Sequence, residues 1–477
     1  VEVTKLSLLL KVLEEESEEN VSKQLKLFDE RALPSLHQNV KCGNSLIGTD
    51  IYADMLVLLD DPDVVKRINA FDWDREFPDI MQRGGFDAVI GNPPYGAILS
   101  NVEISYLSKR TEVFTKISDS YIAFIELSYR LRKDGALFGY IIPSSWLGGP
   151  RYRFLREFIL RESIETVISL PFDVFKNAYI DTMLLTTRKE TSAENHKVVV
   201  YNYPKKERVS DIQINSLPVV NIPQSEWRKN EDNKFILDFG ILILLNSIRK
   251  RRETLFKASI KIKRGVLFDP NLLTNDKTSE NCYPYFEGDV YRYSINFSAP
   301  NWIEYGPRMK EYPKEFSWFE GDRLLLRRLV SRKNRLMASY INQTVVTNKN
   351  LYSIKATNAE SILYILGLVN SKLISRSYLG QVSQATKDDF PQVTIRDLLD
   401  LPYRTINFSD PTDKARHDKM VALVERMLTL HKQRADVKTD HEKNLVERQI
   451  EATDKQIDAL VYELYGLTEE EIGIVEG

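Results

Sequence analysis

Several features that would settle the class of this chain at once are absent from it. It has only two cysteines, Cys42 and Cys282, in 477 residues. Two thiols cannot build a disulfide framework, so a reducing, cytoplasmic setting is expected. No apolar run approaches the ~20 residues that span a bilayer, and no signal-peptide pattern opens the chain, so no membrane partner is expected. The five histidines, His37, His196, His417, His431 and His441, are scattered and lack metal-ligand spacing with cysteine or acids, which argues against a metal centre. There is no Gly-x-Ser-x-Gly elbow, no Cys/His pair for nucleophilic catalysis and no acid followed by the Glu-x-Lys triple of many nucleases. Charge of one sign is missing too. The 66 Lys and Arg nearly balance 68 Asp and Glu, leaving −2, so the chain as a whole is not a basic nucleic-acid-binding module.

What is present is an ordinary globular composition, 43% hydrophobic and 28% charged, in a chain long enough for two or three domains. The basic residues are unevenly placed. The stretches 249–264 (RKRRETLFKASIKIKR) and 323–335 (RLLLRRLVSRKNR) alternate cations with apolar residues. Such stretches suit phosphate contacts or are simply solvated faces, and charge alone leaves both readings open.

The apolar pattern alternates between strands and helices in the first 190 residues. A Leu-rich amphipathic helix is expected over 3–16, strands over 40–48 and 86–91, a helix over 119–133 exiting at Asp134-Gly135, and a buried strand over 136–147. A short helix at 156–163 and strands at 165–171 and 181–189 follow. This is the pattern of a largely parallel sheet covered on both faces, in which ligands bind at the carboxyl ends of strands. The period breaks over 191–235, expected to be a connecting segment. A mixed α/β region follows over 236–404, and a helical hairpin over 405–477. In its second arm Val446, Ile450, Thr453, Ile457, Leu460 and Leu464 form a coiled-coil seam. The preceding helix is the favoured partner for this seam, with another protein docking along 439–466 as the alternative.

The richest local feature is Asn92-Pro93-Pro94-Tyr95, which ends the apolar run 86–91. Each proline fixes its own φ and restricts the residue before it. An amide side chain, a backbone carbonyl and a flat ring are thus held in one rigid turn, suited to a planar group that carries an amine. Adenine N6 is such an amine, and a poor nucleophile because its lone pair is delocalised into the ring. Two acceptors on its two N–H bonds, the Asn92 side-chain oxygen and the Pro93 carbonyl, stabilise the positive charge that develops as it attacks a methyl group. Tyr95 would stack on a base flipped out of its duplex. Pro94 rigidifies the turn, and Gly91 permits close approach to the backbone.

With this motif, the blocks KLSLLLKVL (5–13), LPSLHQNVKCGNSLIG (33–48), GGFDAVIGNPPYG (84–96), SYIAFIELSYRLRKDGALFGYIIPSSWL (120–147) and FDVFKNAYIDTMLLTTRK (172–189) resemble, in order, the TaqI-like N6-adenine DNA methyltransferases of restriction-modification systems. KIKRGVLFDPN (261–271), YPYFEGDVYRYSI (283–295), SILYILGLVNSKL (361–373) and FPQVTIRDLLDLPY (390–403) resemble their target-recognition domain. The resemblance implies a partial Rossmann-like methyltransferase sheet in 1–190, a mixed α/β target-recognition domain and a helical tail. It implies S-adenosylmethionine as methyl donor, double-stranded DNA as partner and a role in bacterial defence. It makes Asn92, Pro93, Pro94 and Tyr95 the catalytic loop, and Phe175 the second face of a base sandwich, against the plainer reading of a core ring. It places Asn44 and Gly91 at the cofactor, although Asn44 reads equally well as a turn residue. Arg264, Arg327, Arg328, Arg332, Lys333 and Arg335 become candidates for DNA contact, and Tyr378 with 381–384 a candidate DNA-facing loop. Rival readings stay open: a fused restriction endonuclease-methyltransferase, a catalytically silent specificity protein, or an enzyme acting on RNA or a protein amide.

One departure stands out. The family's cofactor loop, Asp-Pro-x-x-Gly-x-Gly, should precede the helix at 3–16 and is absent from the sequence, which begins with Val1. The chain is therefore expected to start after the first two strands of its sheet. Titrating residues 1–477 with S-adenosylmethionine in a calorimeter should show binding weaker than micromolar, and no DNA methylation by this segment alone.

Overall fold

The computed structural model describes residues 2–13, 36, 38–54, 62–115, 118–175, 180–203, 208, 216–251, 253–297, 301–331, 334–381 and 392–477. By packing, the chain divides into two units. One comprises Val1–Pro143, Glu157–Val167 and Met183–Ala193; the other comprises Ser144–Arg156, Ile168–Thr182 and Glu194–Gly477.

In the first unit the strands β1 (Phe86–Gly91) and β2 (Arg132–Pro143) run parallel, with Ile90 opposite Gly139 and Gly91 opposite Tyr140. A parallel pair needs a crossover, and the helices Asn101–Arg110 and Ser120–Arg130 lie between the two strands in sequence. β3 (Ser163–Ser169) and β4 (Thr182–Arg188) extend the sheet in the order β1-β2-β4-β3. Helix Ser120–Arg130 buries Tyr121, Ile122, Ala123 and Ile125. The fully buried Arg132 pins the base of β2. It donates to the Ser128 and Ala136 carbonyls and pairs with Glu162 at 2.6 Å, its guanidinium over the Tyr129 ring at 4.3 Å. A buried arginine is tolerable only with such partners on every side.

Several expected boundaries move; the short helix expected at 156–163 runs Arg153–Ile159, and the strand expected at 165–171 is Ser163–Ser169. The helix expected to reach 133 stops at Arg130, because Arg132–Gly135 already belong to β2. β2 ends at Pro143, not 147, and Ser144–Leu147 coil into a 3-10 turn. The segment 40–48 is not a strand. Only Asn44 makes a bridge, to Ala70, because its side chain accepts the Leu46 N–H and closes a turn in competition with a ladder. The N-terminal helix runs Glu2–Leu13, and 14–16 lie outside the described residues.

The second unit holds an antiparallel pair, β5 (Lys197–Asn202) with β6 (Val219–Pro223), and the helices Gln224–Arg228 and Phe239–Lys250. The segment 191–235, expected to be a connection, thus carries β5, β6 and the helix Gln224–Arg228 among its described residues. A four-stranded antiparallel sheet follows, in the order Ala338–Ile341, Arg323–Arg327, Leu351–Ala356, Ile260–Arg264. Its inner face packs Leu325, Ile341 and Leu351 with Phe286 and Val290. The tail is the expected hairpin, Pro411–Asp436 and Asp440–Leu464, with Asp410 and Thr439 capping the two starts. The two arms pack together, and Val446, Thr453, Ile457, Leu460 and Leu464 of the seam are buried, with Ile450 half-buried. No described helix is long and apolar enough to cross a membrane.

Polar ties fix the hairpin to its own unit. Arg292 pairs with Asp454, the Lys372 N–H donates to Asp458 at 2.8 Å, and Arg404 reaches both Asp413 oxygens at 2.9 Å. The Ser361 N–H donates to His417 Nε2. His431 on the first arm sits beside the Tyr293 ring. Burial, with the Arg434 and Arg292 guanidiniums nearby, pushes its pKa down to about 4. The unfolded chain therefore binds a proton at His431 that the folded chain refuses, and stability falls as pH drops from about 6.5 toward 4. Replacing His431→Gln should flatten that loss in urea titrations run across this pH window, leaving stability at pH 8 less affected.

Candidate active site

β1 delivers the loop. It ends at Gly91, where a Cβ would lie 2.9 Å from the Tyr140 ring, and the prolines that follow have no N–H to continue a ladder. The close approach expected at Gly91 is thus made by Tyr140. Beyond it Asn92 is exposed, Pro93 buried, Pro94 exposed and Tyr95 half-buried.

Three anchors hold the turn. The Tyr95 hydroxyl lies 2.7 Å from the Ile141 carbonyl oxygen of β2 and 2.9 Å from Asn92 Oδ1. Ser120 Oγ donates to the Pro94 carbonyl at 2.7 Å. The Gly96 N–H donates to Asp119 at 2.8 Å. Asp119 occupies the N-cap of helix Ser120–Arg130, yet its carboxylate makes no capping bond; it is given to the loop. Gly96 has φ +64°, a left-handed conformation open to glycine at little cost. The Tyr95 ring meets Tyr121 edge to face, at 6.3 Å and 88°. Burial pushes the Tyr95 pKa up to about 12, so its hydroxyl keeps its proton at neutral pH.

Asp119, Ser120 and Ile141 were not legible as parts of this site. Asp119 carried a signal, as a helix start, but not the direction in which its carboxylate points. Asn44 lies in the same unit. Its Nδ2 donates to Glu103 at 3.1 Å and its Oδ1 accepts from Leu46 at 3.2 Å, so its amide is engaged at both ends as a turn residue. Glu103 in turn completes a capping box with Ser100. Phe175 closes the short turn Phe172–Val174, is half-buried and falls in the second packing unit.

A cavity of about 370 Å³ opens in the first unit, lined by Phe71, Trp73, Phe77 and Phe86 together with Asn39 and Lys41. Its lining carries Lys41, whose ammonium is paired with Glu76 at 3.2 Å.

Residues 1–175 match the family model described as Eco57I restriction-modification methylase, and residues 283–403 match the TaqI-like C-terminal specificity domain. Residues 1–175 thus form a restriction-modification methylase domain of the Eco57I type, and 283–403 a specificity domain of the TaqI type. It is 33% identical over 350 residues to RM.MjaORFECS2P of Methanocaldococcus jannaschii, an alignment covering 71% of this chain and 29% of that protein. It is 25% identical over 550 residues to RM.Eco57I of Escherichia coli, a type II restriction enzyme and methyltransferase, covering 96% of this chain and 52% of that one. The chain therefore spans about half, or less, of these relatives. Among solved structures, the type IIL restriction-modification enzyme MmeI in complex with DNA shares the fold, with a TM-score of 0.54 at 13% identity, over 87% of this chain and 61% of that one.

The basic candidates divide. Arg335 is not available to an outside partner: its Nη2 donates to the Asn370 carbonyl at 2.6 Å and stands 3.7 Å from Asp458, with 14% of the side chain exposed. Arg328 is tied to Gln392 at 2.6 Å, and Arg264 to the Lys349 carbonyl at 3.0 Å. Arg327 is held more loosely, 3.6 Å from Asp289. Arg332 and Lys333 lie outside the described residues. Tyr378 is fully buried, receiving the Thr394 N–H, and Gln381 is buried, so neither faces a ligand; 382–384 lie outside the described residues.

Replacing Asp119→Ala removes the acceptor that ties down the Gly96 amide. Hydrogen exchange at Gly96 should accelerate by about tenfold, the scale of one lost charge-assisted hydrogen bond, with exchange inside helix Ser120–Arg130 little changed.

Proposed function

We propose that the protein to which this chain belongs transfers a methyl group from S-adenosylmethionine to adenine N6 in a specific sequence of double-stranded DNA. The observation that carries this reading is the loop at the carboxyl end of β1, where Asn92 is exposed on a turn whose backbone is anchored at Pro94, Tyr95 and Gly96.

The Pro94 carbonyl is engaged by Ser120, whereas the Pro93 carbonyl has no hydrogen-bond partner among the described residues. Pro93 and the Asn92 amide oxygen are thus the acceptor pair for the two N6 hydrogens. They hold the amine and favour the charge it gains on attack. Acceptors fixed before the substrate arrives cost no reorganisation at the moment of reaction, which is why a doubly proline-stiffened turn is useful here. The Tyr95 ring offers a stacking face that offsets part of the cost of unstacking the base. S-adenosylmethionine enters this reading through the methylase match of residues 1–175, because Asn44 is engaged and Gly91 faces Tyr140.

A second reading is favoured by a specific observation. RM.Eco57I is named as both restriction enzyme and methyltransferase, and this chain covers 52% of it. A nuclease elsewhere in the same polypeptide, or in a separate one, is compatible with the methylase site. An RNA or protein-amide substrate is disfavoured by the matching specificity domain.

The test uses the full-length protein, plasmid DNA and labelled S-adenosylmethionine. Label should appear on adenine with wild type and fall by at least ~100-fold with Asn92→Ala, the scale of losing a preorganised acceptor. Equal label in both proteins, or label on RNA or protein, rejects the proposal.

A further inference from the structure

The hydroxyl of Tyr95 faces two oxygens. It lies 2.7 Å from the Ile141 carbonyl oxygen and 2.9 Å from the atom placed as Asn92 Oδ1. A phenol carries one hydrogen, and its pKa, pushed up by burial, keeps that hydrogen in place. It can be given to only one of the two. The Ile141 carbonyl is the nearer, and as a backbone acceptor in β2 it cannot turn away. The other contact would then set two oxygens against each other at hydrogen-bond distance with no proton between them. Turning the Asn92 amide by 180° removes the conflict, since oxygen and nitrogen of an amide are interchangeable in shape but not in hydrogen bonding. Nδ2 then donates to the Tyr95 oxygen, and Tyr95 donates to Ile141.

We infer that Tyr95 is a positioning residue as well as a stacking ring: its hydroxyl, fixed by the Ile141 carbonyl, accepts a hydrogen bond from Asn92 Nδ2 and so turns Asn92 Oδ1 outward to receive the substrate amine. This rests on the proposed methylation site. It adds a function for the hydroxyl, which stacking does not need. An exposed asparagine has two orientations of nearly equal shape, and the wrong one would present N–H donors to an amine that is itself a donor. The chain of Asn92, Tyr95 and Ile141 removes that ambiguity before the substrate arrives. The geometry also ties the orientation to the sheet, because Ile141 adjoins Tyr140, the residue in register with Gly91.

Tyr95→Phe in the full-length protein keeps the ring and deletes the hydroxyl. It should lower kcat by about tenfold, the scale of one hydrogen bond. KM for DNA, and the fluorescence of 2-aminopurine at the target position, should stay near wild type, because stacking is preserved. The same change made on Asn92→Asp should cost much less, since a carboxylate has two like oxygens and no wrong way round. A second measurement does not depend on catalysis. With asparagine-selective 15N labelling, the side-chain amide pair missing in Asn92→Ala identifies Asn92, and in Tyr95→Phe that pair should move and lose its protection from exchange. An unmoved Asn92 amide, full activity of Tyr95→Phe, or an equal cost in the wild-type and Asn92→Asp backgrounds would overturn the inference. If Asn92→Ala is inactive while Tyr95→Phe is fully active, only the positioning role fails. If Asn92→Ala still methylates adenine, the proposed site itself fails.

Discussion

The parallel pairing of β1 with β2 is the constraint on which the candidate site depends. Two parallel strands bring their carboxyl ends to the same edge of the sheet. The register that sets Gly91 against Tyr140 therefore brings the loop after β1 beside Ile141. An antiparallel neighbour would have presented the start of its strand there. The crossover that parallel pairing demands supplies the remaining anchors. Its second helix begins with Asp119 and Ser120, and the positions of both are spent on the loop.

Much of this was legible in the residues. The apolar run 86–91 followed by Asn-Pro-Pro-Tyr announced a strand ending in a stiff turn, and proline chemistry alone justified the stiffness. The hairpin at the C-terminus was legible from its seam, because a spacing of four and three buries one face of a helix whatever lies opposite. What could not be read was the partner of each polar group. Asp119 opens the expected helix, and its φ and ψ are those of a cap, but a carboxylate one residue before a helix reaches outward as easily as inward. Likewise the strand expected at 40–48 lost to a turn because the Asn44 side chain satisfies a nearby amide more cheaply than a ladder does.

The basic stretches show the same limit from the other side. In sequence, 249–264 and 323–335 are runs of cations without obvious counter-charges. In the fold, Arg251 Nη2 donates to both Glu471 oxygens and Arg335 faces Asn370 and Asp458. Their partners lie far along the chain, where no local pattern connects them. Lys261 and Lys263 remain exposed on the edge strand Ile260–Arg264. Counting cations overstates a DNA-binding face by including those that hold the protein together.

The hairpin ties carry a consequence for anyone wishing to move sequence recognition from one methylase to another. The specificity-domain match ends at residue 403, which looks like a natural cut. Yet Arg292, Arg335 and Lys372, on the matched side, find their carboxylates at Asp454 and Asp458, and Ser361 finds its acceptor at His417. A graft that stopped at 403 would strand these groups in a partly buried surface without their partners, where an unpaired guanidinium is expensive. The exchangeable cassette is therefore longer than the recognised module: the helices after it travel with it as its floor.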